Sequence, residues 1–363
     1  MKILYVTTVS ITMGFFPEHF KMLLSEGHTV ELACNCEKPL PQFCADMGLV
    51  AHHIPFSRSP FSKSNISALK QLKKLVRDGQ YDIIHTHTPN ASACVRLACR
   101  KLRKSGTKVF YTAHGFHFYK GAPLKNKLVY YPVEWLCAHW TDTLITINQE
   151  DYALAKKHMH AKAVEYVPGV GIDISKFGSP SGNREEKRKE LGLPDGAKVL
   201  LSVGELNDNK NHETVIKAIK DMDVYYIIAG RGDKQEYLQS LIDSQGMSDR
   251  IKLLGYRTDV RELYEASDMF VFPSFREGLS VSVMEAMATG LPCVVSRIRG
   301  NTDLIDTLGG AHFDPHSVDE CREMISSTLV KPFDEMSKHN KEKIIQFSNE
   351  EVLVRMREIY SEN

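Results

Sequence analysis

At 363 residues, 42% hydrophobic and 25% charged, the chain is longer than one hydrophobic core usually serves, so two domains are expected. Its 46 Lys+Arg against 45 Asp+Glu leave a net charge of +1, which gives no general case for nucleic-acid binding and makes any basic surface local. No run approaches the ~20 consecutive apolar residues of a membrane span, and MKILYVTTVS is too brief for a secretory signal, so a cytoplasmic protein is expected.

In chain order, residues 2–8 (KILYVTT) read as a strand, 9–16 as a loop holding Gly14, 17–26 as a helix stopped by Gly27, and 29–33 as the next strand. Buried-type strands follow at 82–87 (DIIHTH), 108–113 (KVFYTA) and 142–147 (DTLITI), with helical stretches between them. Such alternation implies a parallel, doubly wound α/β sheet. Composition shifts to Gly, Pro and Ser across 167–181, a plausible linker. A second alternating series then places strands at 198–203, 224–229, 251–254, 269–272 and 293–295. Two Rossmann-like domains are therefore expected, 1–180 and 181–345, with ligand in the cleft where strand carboxyl ends face each other. Val352, Leu353, Met356, Ile359 and Tyr360 fall at helical spacing, so a last helix within 345–363 has a face with which to pack back on the first domain. The eight cysteines include no CxxC pair, and Cys34-x-Cys36 is too tight for zinc, which favours free thiols.

The stretch PSFREGLSVSVMEAMATGLPCVV (273–295) carries Glu277 and Glu285 eight positions apart. On one helix they would lie about 12 Å apart along the axis, beyond the ~5–9.5 Å of hydrolytic carboxylate pairs. Ser282-Val-Met-Glu285 fits a capping box, and Glu277 reads equally as a solvated loop residue. The alternative uses both: Gly278, Leu279 and Ser280 would offer backbone N–H groups to a diphosphate at a helix N-terminus, with a carboxylate on either side for sugar and ribose hydroxyls.

This stretch resembles the signature of the retaining glycosyltransferases of family 4, which have two Rossmann-like domains facing across a cleft (the GT-B architecture). The matching positions are Glu277, Gly278, Glu285, Ala286, Ala288, Gly290 and Pro292. The resemblance implies that Glu277 and the amides of Gly278, Leu279 and Ser280 hold donor sugar and diphosphate, and that Glu285 holds the ribose. Ser202–Asn211 (SVGELNDNKN) is similar to a second family segment and places Lys210 on the diphosphate, although Glu205 stands where many members have arginine. Gly14 fits the family's phosphate-side loop, with its usual double glycine reduced to Met13-Gly14. Tyr256 and Arg257 sit where the base is received. His114, ending a strand in YTAHGFHF, matches the active-site histidine, and His117, Tyr119 and Lys120 suit an acceptor site.

The function implied is transfer of a hexose or N-acetylhexosamine, with retention, from a nucleoside-diphosphate sugar. UDP-sugar is the expected donor, a glycan or polyprenyl-diphosphate-linked acceptor the expected partner, surface polysaccharide synthesis the setting. No cofactor or metal is expected. The rivals are a sugar-nucleotide epimerase and a non-catalytic sugar-nucleotide-binding protein. Asp221-Met-Asp223 lies before the amino end of a strand and reads as a solvated turn, not a metal motif. His85, His87, His114 and His117 lack companion ligands at a recognisable spacing. Residues 65–77 (NISALKQLKKLVR) put Ile66, Leu69, Leu72 and Val76 on one stripe beside Lys70, Lys73, Lys74 and Arg77. That is either a packing helix with a solvated basic face or a contact with an anionic membrane surface.

Overall fold

The computed structural model describes residues 1–362, which divide into two compact units: Met1–Gly171 with the chain's last residues from Asn349, and Ile172–Ser348. In the first unit, β1 (Lys2–Val9), β2 (Thr29–Asn35), β3 (Val50–His53), β4 (Ile83–Thr86), β5 (Lys108–Ala113), β6 (Thr143–Thr146) and β7 (Ala163–Tyr166) form one sheet. Its order is β3-β2-β1-β4-β5-β6-β7, and every pairing is parallel. The second unit holds β8 (Val199–Val203), β9 (Tyr225–Ala229), β10 (Ile251–Gly255), β11 (Met269–Phe272), β12 (Cys293–Ser296) and β13 (Gly310–Phe313), ordered β10-β9-β8-β11-β12-β13. Order reverses beside β1 in the first sheet and beside β8 in the second. In such sheets ligands bind outside the carboxyl ends near that reversal.

The strands are apolar on both sides because helices cover both faces. Along β1, Ile3 and Tyr5 enter one buried cluster while Leu4 and Val6 enter another on the opposite face. β8 and β11 divide likewise: Leu201, Phe270 and Phe272 pack on one side, Leu200, Met269 and Val271 on the other. Each such side chain contributes about 1.5–3 kcal/mol by leaving water.

The unit boundary differs from the expected position near 180. Gly/Pro/Ser composition marks the whole 167–181 stretch, but the chain commits to the second unit at Ile172, whose N–H donates to Phe347 O at 3.1 Å. Asp173 then caps the short Ile174–Gly178 helix, and Phe177 is buried in the second unit's core. The last helix, Asn349–Ser361, buries Val352, Met356, Ile359 and Tyr360 in the first unit beside Tyr5 and Phe110. Tyr360 Oη lies 2.6 Å from His85 Nδ1. Among the described residues no helix is long and apolar enough to cross a membrane.

Candidate active site

The candidate residues fall into two groups, one in each unit. In the second unit, β11 ends at Phe272 and the chain turns through 273–280 into the Val281–Thr289 helix. Ser280 is the N-cap: its hydroxyl accepts the Val283 N–H at 3.4 Å, and Gly290, at φ +86°, closes the other end. The capping box expected from Ser282 and Glu285 is therefore absent, because Ser282 already lies inside the helix. Glu285 instead sits 2.9 Å from the Tyr264 hydroxyl, which also lies 3.0 Å from Ser282 O. Burial holds the Glu285 carboxyl above its ordinary pKa, while the Tyr264 hydrogen bond and the Lys176 charge pull the other way.

Glu277 and Lys210 meet. Lys210 Nζ donates to Glu277 Oε1 at 2.8 Å, both side chains being mostly buried. Lys210 closes a short turn, Asp208–Lys210, capped by Asn207, whose Oδ1 accepts the Lys210 N–H at 3.0 Å. Its stem runs across Gly204, where a Cβ would stand 3.2 Å from Lys210 Cε, and its ammonium lies 4.6 Å from the Phe272 ring centroid. The 205–211 and 273–280 loops are further stitched by Phe275 N–H to Asn209 O (2.8 Å), Asn209 Nδ2 to Arg276 O (3.0 Å) and Asn211 Nδ2 to Pro273 O (3.1 Å). Asn211 adopts φ +54°, a left-handed conformation that asparagine tolerates better than most residues. Glu205 is exposed and accepts from Asn207 Nδ2 at 2.8 Å.

Sequence reasoning missed the backing of this loop. Arg299, buried, donates through Nε to Glu277 O at 3.0 Å. Gly300 abuts Gly278 so closely that a Cβ there would fall 2.2 Å from the Gly278 carbonyl oxygen. The Arg-Gly pair just beyond β12 was the available signal. Gly230 and Gly232 likewise serve packing, since Cβ atoms would meet Gly204 O at 1.7 Å and Leu206 O at 2.1 Å. Of the two base candidates, Tyr256 is exposed with the Arg231 guanidinium 5.5 Å from its ring. Arg257 is bound by Asp259 and by Glu190 at 2.8 Å. Asp221 and Asp223 lie ahead of β9, at its amino end, as expected of a turn.

In the first unit, His114 directly follows β5, and its Nε2 lies 3.2 Å from His87 Nδ1, just beyond β4. Burial pushes its pKa down to about 4. His19, His85, His87 and His114 border one narrow cavity with Tyr5 and Phe16. His19 is also lowered to about 4 by burial and then by the charge of His114. Among the described residues, no group of three or more His, Cys, Asp or Glu is arranged to hold a metal ion. His117 is separate from the histidine cluster and stacks on Tyr130 at 4.5 Å. In the same loop Phe116 and Phe118 turn inward, Tyr119 is partly exposed, and Lys120 is exposed with its N–H on Glu150 Oε1 at 2.8 Å. Buried Asp151 fixes the loop by accepting the Phe116 N–H at 3.0 Å, another contact that sequence reading missed. Gly14 is exposed after β1, with nothing nearer than 3.7 Å to a Cβ built on it.

Comparison with known proteins agrees across both units. A family described as "Glycosyl transferases group 1" matches residues 183–347, and one described as "Glycosyl transferase 4-like" matches 2–148. The chain is 38% identical over 313 residues to the Bacillus subtilis protein named glycosyltransferase EpsD, covering 84% of this chain and 81% of that one. It is 30% identical over 346 residues to the Escherichia coli UDP-Gal:alpha-D-GlcNAc-diphosphoundecaprenol alpha-1,3-galactosyltransferase, covering 92% and 88%. Anabaena HepE in complex with UDP superposes with TM-score 0.82 at 19% identity over the whole of both chains. WaaG, a glycosyltransferase involved in lipopolysaccharide biosynthesis, superposes with TM-score 0.75 at 15% identity, covering 98% and 99%.

Proposed function

Because the chain belongs to the group 1 glycosyltransferases, with the two-sheet GT-B fold, we propose that it transfers a hexose or N-acetylhexosamine from a UDP-sugar to a hydroxyl of a polyprenyl-diphosphate-linked glycan. The observation that carries this reading is the Lys210–Glu277 pair set on two cross-stitched loops at the start of the Val281–Thr289 helix. The amides of Gly278, Leu279 and Ser280 and the Lys210 ammonium receive the diphosphate, where helix dipole and point charge both favour an anion. Glu277 then turns to the sugar hydroxyls, and Glu285 accepts from the ribose. His114 contacts the transferred sugar as a neutral imidazole, with His117, Tyr119 and Lys120 on the acceptor side. The bond between the anomeric carbon and the diphosphate oxygen breaks, one from that carbon to the acceptor oxygen forms, and the acceptor proton passes to the departing diphosphate. Retention follows when both events take place on one face of the sugar. Lys210 and the helix amides stabilise the charge growing on the leaving group without a metal. A lipid-linked acceptor places the work at the inner face of the plasma membrane.

The supporting relatives are the galactosyltransferase, whose name specifies UDP-Gal and a diphosphoundecaprenol-linked sugar, and HepE, solved with UDP. The test is thermal stabilisation and turnover across a panel of nucleotide sugars, with Glu285→Ala and Lys210→Ala alongside the wild type. Stabilisation by one UDP-sugar, lost in both variants, with turnover only when acceptor is added, is expected. Turnover of donor alone would make the protein an epimerase, and no stabilisation by any nucleotide would remove the proposal.

A further inference from the structure

The Leu124–Ala138 helix (LKNKLVYYPVEWLCA) buries its one carboxylate among core residues and leaves its leucines and valines exposed. Its inner side carries a buried ion pair: Arg96, in the Pro89–Cys99 helix, donates from Nη1 to Glu134 Oε2 at 2.8 Å. The Arg96 guanidinium lies 4.3 Å from the Tyr111 ring centroid of β5. Its outer side is apolar. Leu124 is 70% and Leu128 68% exposed, and Trp135 lies open beside them. At about 100° per residue these three share one stripe, and Val129, Val133 and Leu136 extend it to a half-cylinder roughly 18 Å long in which Lys125 also lies. A buried charge on the inner face prevents the helix from rolling its leucines inward.

An apolar surface this continuous marks a contact, and its charge states with what. Within the helix the charged residues besides the buried pair are Lys125 and Lys127, with Lys120 just before it, while the helix's single carboxylate, Glu134, is the buried one. We propose that this face docks flat on an anionic lipid bilayer, its leucines and tryptophan entering the acyl boundary and its lysines meeting headgroups. A second copy of the chain fits less well, because a two-fold interface would bring together two patches that both carry Lys125 and Lys127 with no exposed carboxylate on the helix to offset them.

The Ser64–Gly79 helix, two helices away in the same layer, plays the smaller part. It carries Lys70, Lys73, Lys74 and Arg77, but Ile66 is its one exposed large apolar residue, and Lys74 and Arg77 already pair with Asp78. The 114–120 loop is held to the core-facing side of the same Leu124–Ala138 helix, where His117 stacks on the part-buried Tyr130. Docking would thus hold that loop at the headgroup level, where a lipid-linked hydroxyl is presented. Only this last use rests on the acceptor proposed above; the surface itself does not.

The test is co-sedimentation of the full chain with vesicles of phosphatidylcholine and phosphatidylglycerol in equal parts, and with phosphatidylcholine alone. Wild type should bind the anionic vesicles, with Trp135 emission shifting to the blue. Leu124→Ser/Leu128→Ser/Trp135→Ser should lower partitioning by at least about tenfold, given the transfer value of each apolar side chain. Lys70→Ser/Lys73→Ser should lower it by less than the roughly thirtyfold that two lysines fully at the headgroup surface are worth, and in a salt-sensitive way. UDP stabilisation measured without vesicles should be unchanged in both variants, so failure of docking and failure of the transferase reading are separable. Absence of vesicle binding, equal binding by the triple variant, or a wild-type dimer that the triple variant converts to monomer would each overturn the proposal.

Discussion

Replacing Glu277 by Gln should strengthen UDP binding, whereas replacing Lys210 by Met should weaken it, although the two residues hold each other. Lys210 Nζ and Glu277 Oε1 are 2.8 Å apart and partly shielded from water. A diphosphate arriving beside Lys210 must draw the ammonium from its carboxylate and then tolerate that carboxylate nearby. A unit charge about 6 Å from a phosphate charge is worth about 0.7 kcal/mol in water and about 3 kcal/mol at an effective dielectric near 20. For a site between those limits, removing the Glu277 charge should tighten UDP by about 1–2 kcal/mol, roughly five- to thirtyfold. Lys210→Met loses the attraction and leaves the repulsion unopposed, so UDP should weaken by about thirtyfold or more.

Isothermal titration with UDP at one fixed ionic strength reads both signs. Turnover of the sugar donor should fall in both variants, since a neutral amide in place of the Glu277 carboxylate is a weaker acceptor for a sugar hydroxyl. The amide oxygen introduced by Glu277→Gln can still accept from Lys210, which keeps the loops stitched, and a urea midpoint near wild type would verify it. Equal loss of UDP affinity in the two variants would refute the reasoning: Glu277 would then act by shaping the loop, not by occupying the lysine.

Three further outcomes follow from the geometry. Arg96→Met should destabilise the first unit by about 3–5 kcal/mol in urea unfolding, because it leaves the Glu134 carboxylate buried and unpaired. Gly230→Ala should cost several kcal/mol, its Cβ falling 1.7 Å from Gly204 O, whereas Gly14→Ala should stay within about 0.5 kcal/mol, so any loss of UDP affinity in Gly14→Ala reports a phosphate contact and no loss removes that contact. Stability should fall as pH drops from about 6.5 to about 4, by up to about 1.4 kcal/mol per pH unit per group, because His19 and His114 have folded pKa values of about 4 and the unfolded chain takes up their protons first. Glu285, raised, contributes the opposite sign, and Glu31 and Asp306, lowered to about 2, titrate below this window. His19→Gln should flatten the slope of the urea midpoint against pH, and an unchanged slope would count against it.

The central strands were legible because β1, β5, β8 and β11 are buried on both faces and read as mainly apolar, β-branched or aromatic runs broken only by Ser, Thr or a leading Lys. β3, β7 and β13 were not: each spans four residues at a sheet edge, where one neighbour suffices and polar residues such as His53 and Glu165 interrupt the signal. The N-cap falls at Ser280 and not at Ser282 because the pattern of serine followed three residues on by glutamate records spacing alone. The competing partner, Tyr264, lies 21 positions upstream. Arg299, Asn211 and the Arg96–Glu134 pair act through contacts 22 to 104 positions away or through a buried charge, neither of which has a local pattern. The Leu124–Ala138 helix shows the limit most clearly. Periodicity finds an apolar stripe but assumes that it faces inward, and only the position of Glu134 reveals that it does not.

Glu205 changes how the site handles charge. The 205–211 turn carries Glu205 and Asp208 against Lys210, and Asp208 is paired with Lys234 at 2.8 Å. On the proposed diphosphate role of Lys210, an arginine at this position would add a second cation beside it. Here Glu205 faces solvent and bonds Asn207 instead, which helps to hold the residue that caps the turn ending in Lys210. The carboxylate therefore contributes to the placement of the turn that carries the lysine. Glu205→Gln should then leave UDP affinity within about threefold, since the amide oxygen can still accept from Asn207, while Glu205→Ala should loosen the turn and weaken it further. A large gain in affinity from Glu205→Arg alone, with Lys210→Met made tolerable in that background, would show that the missing charge and not the turn limits the site.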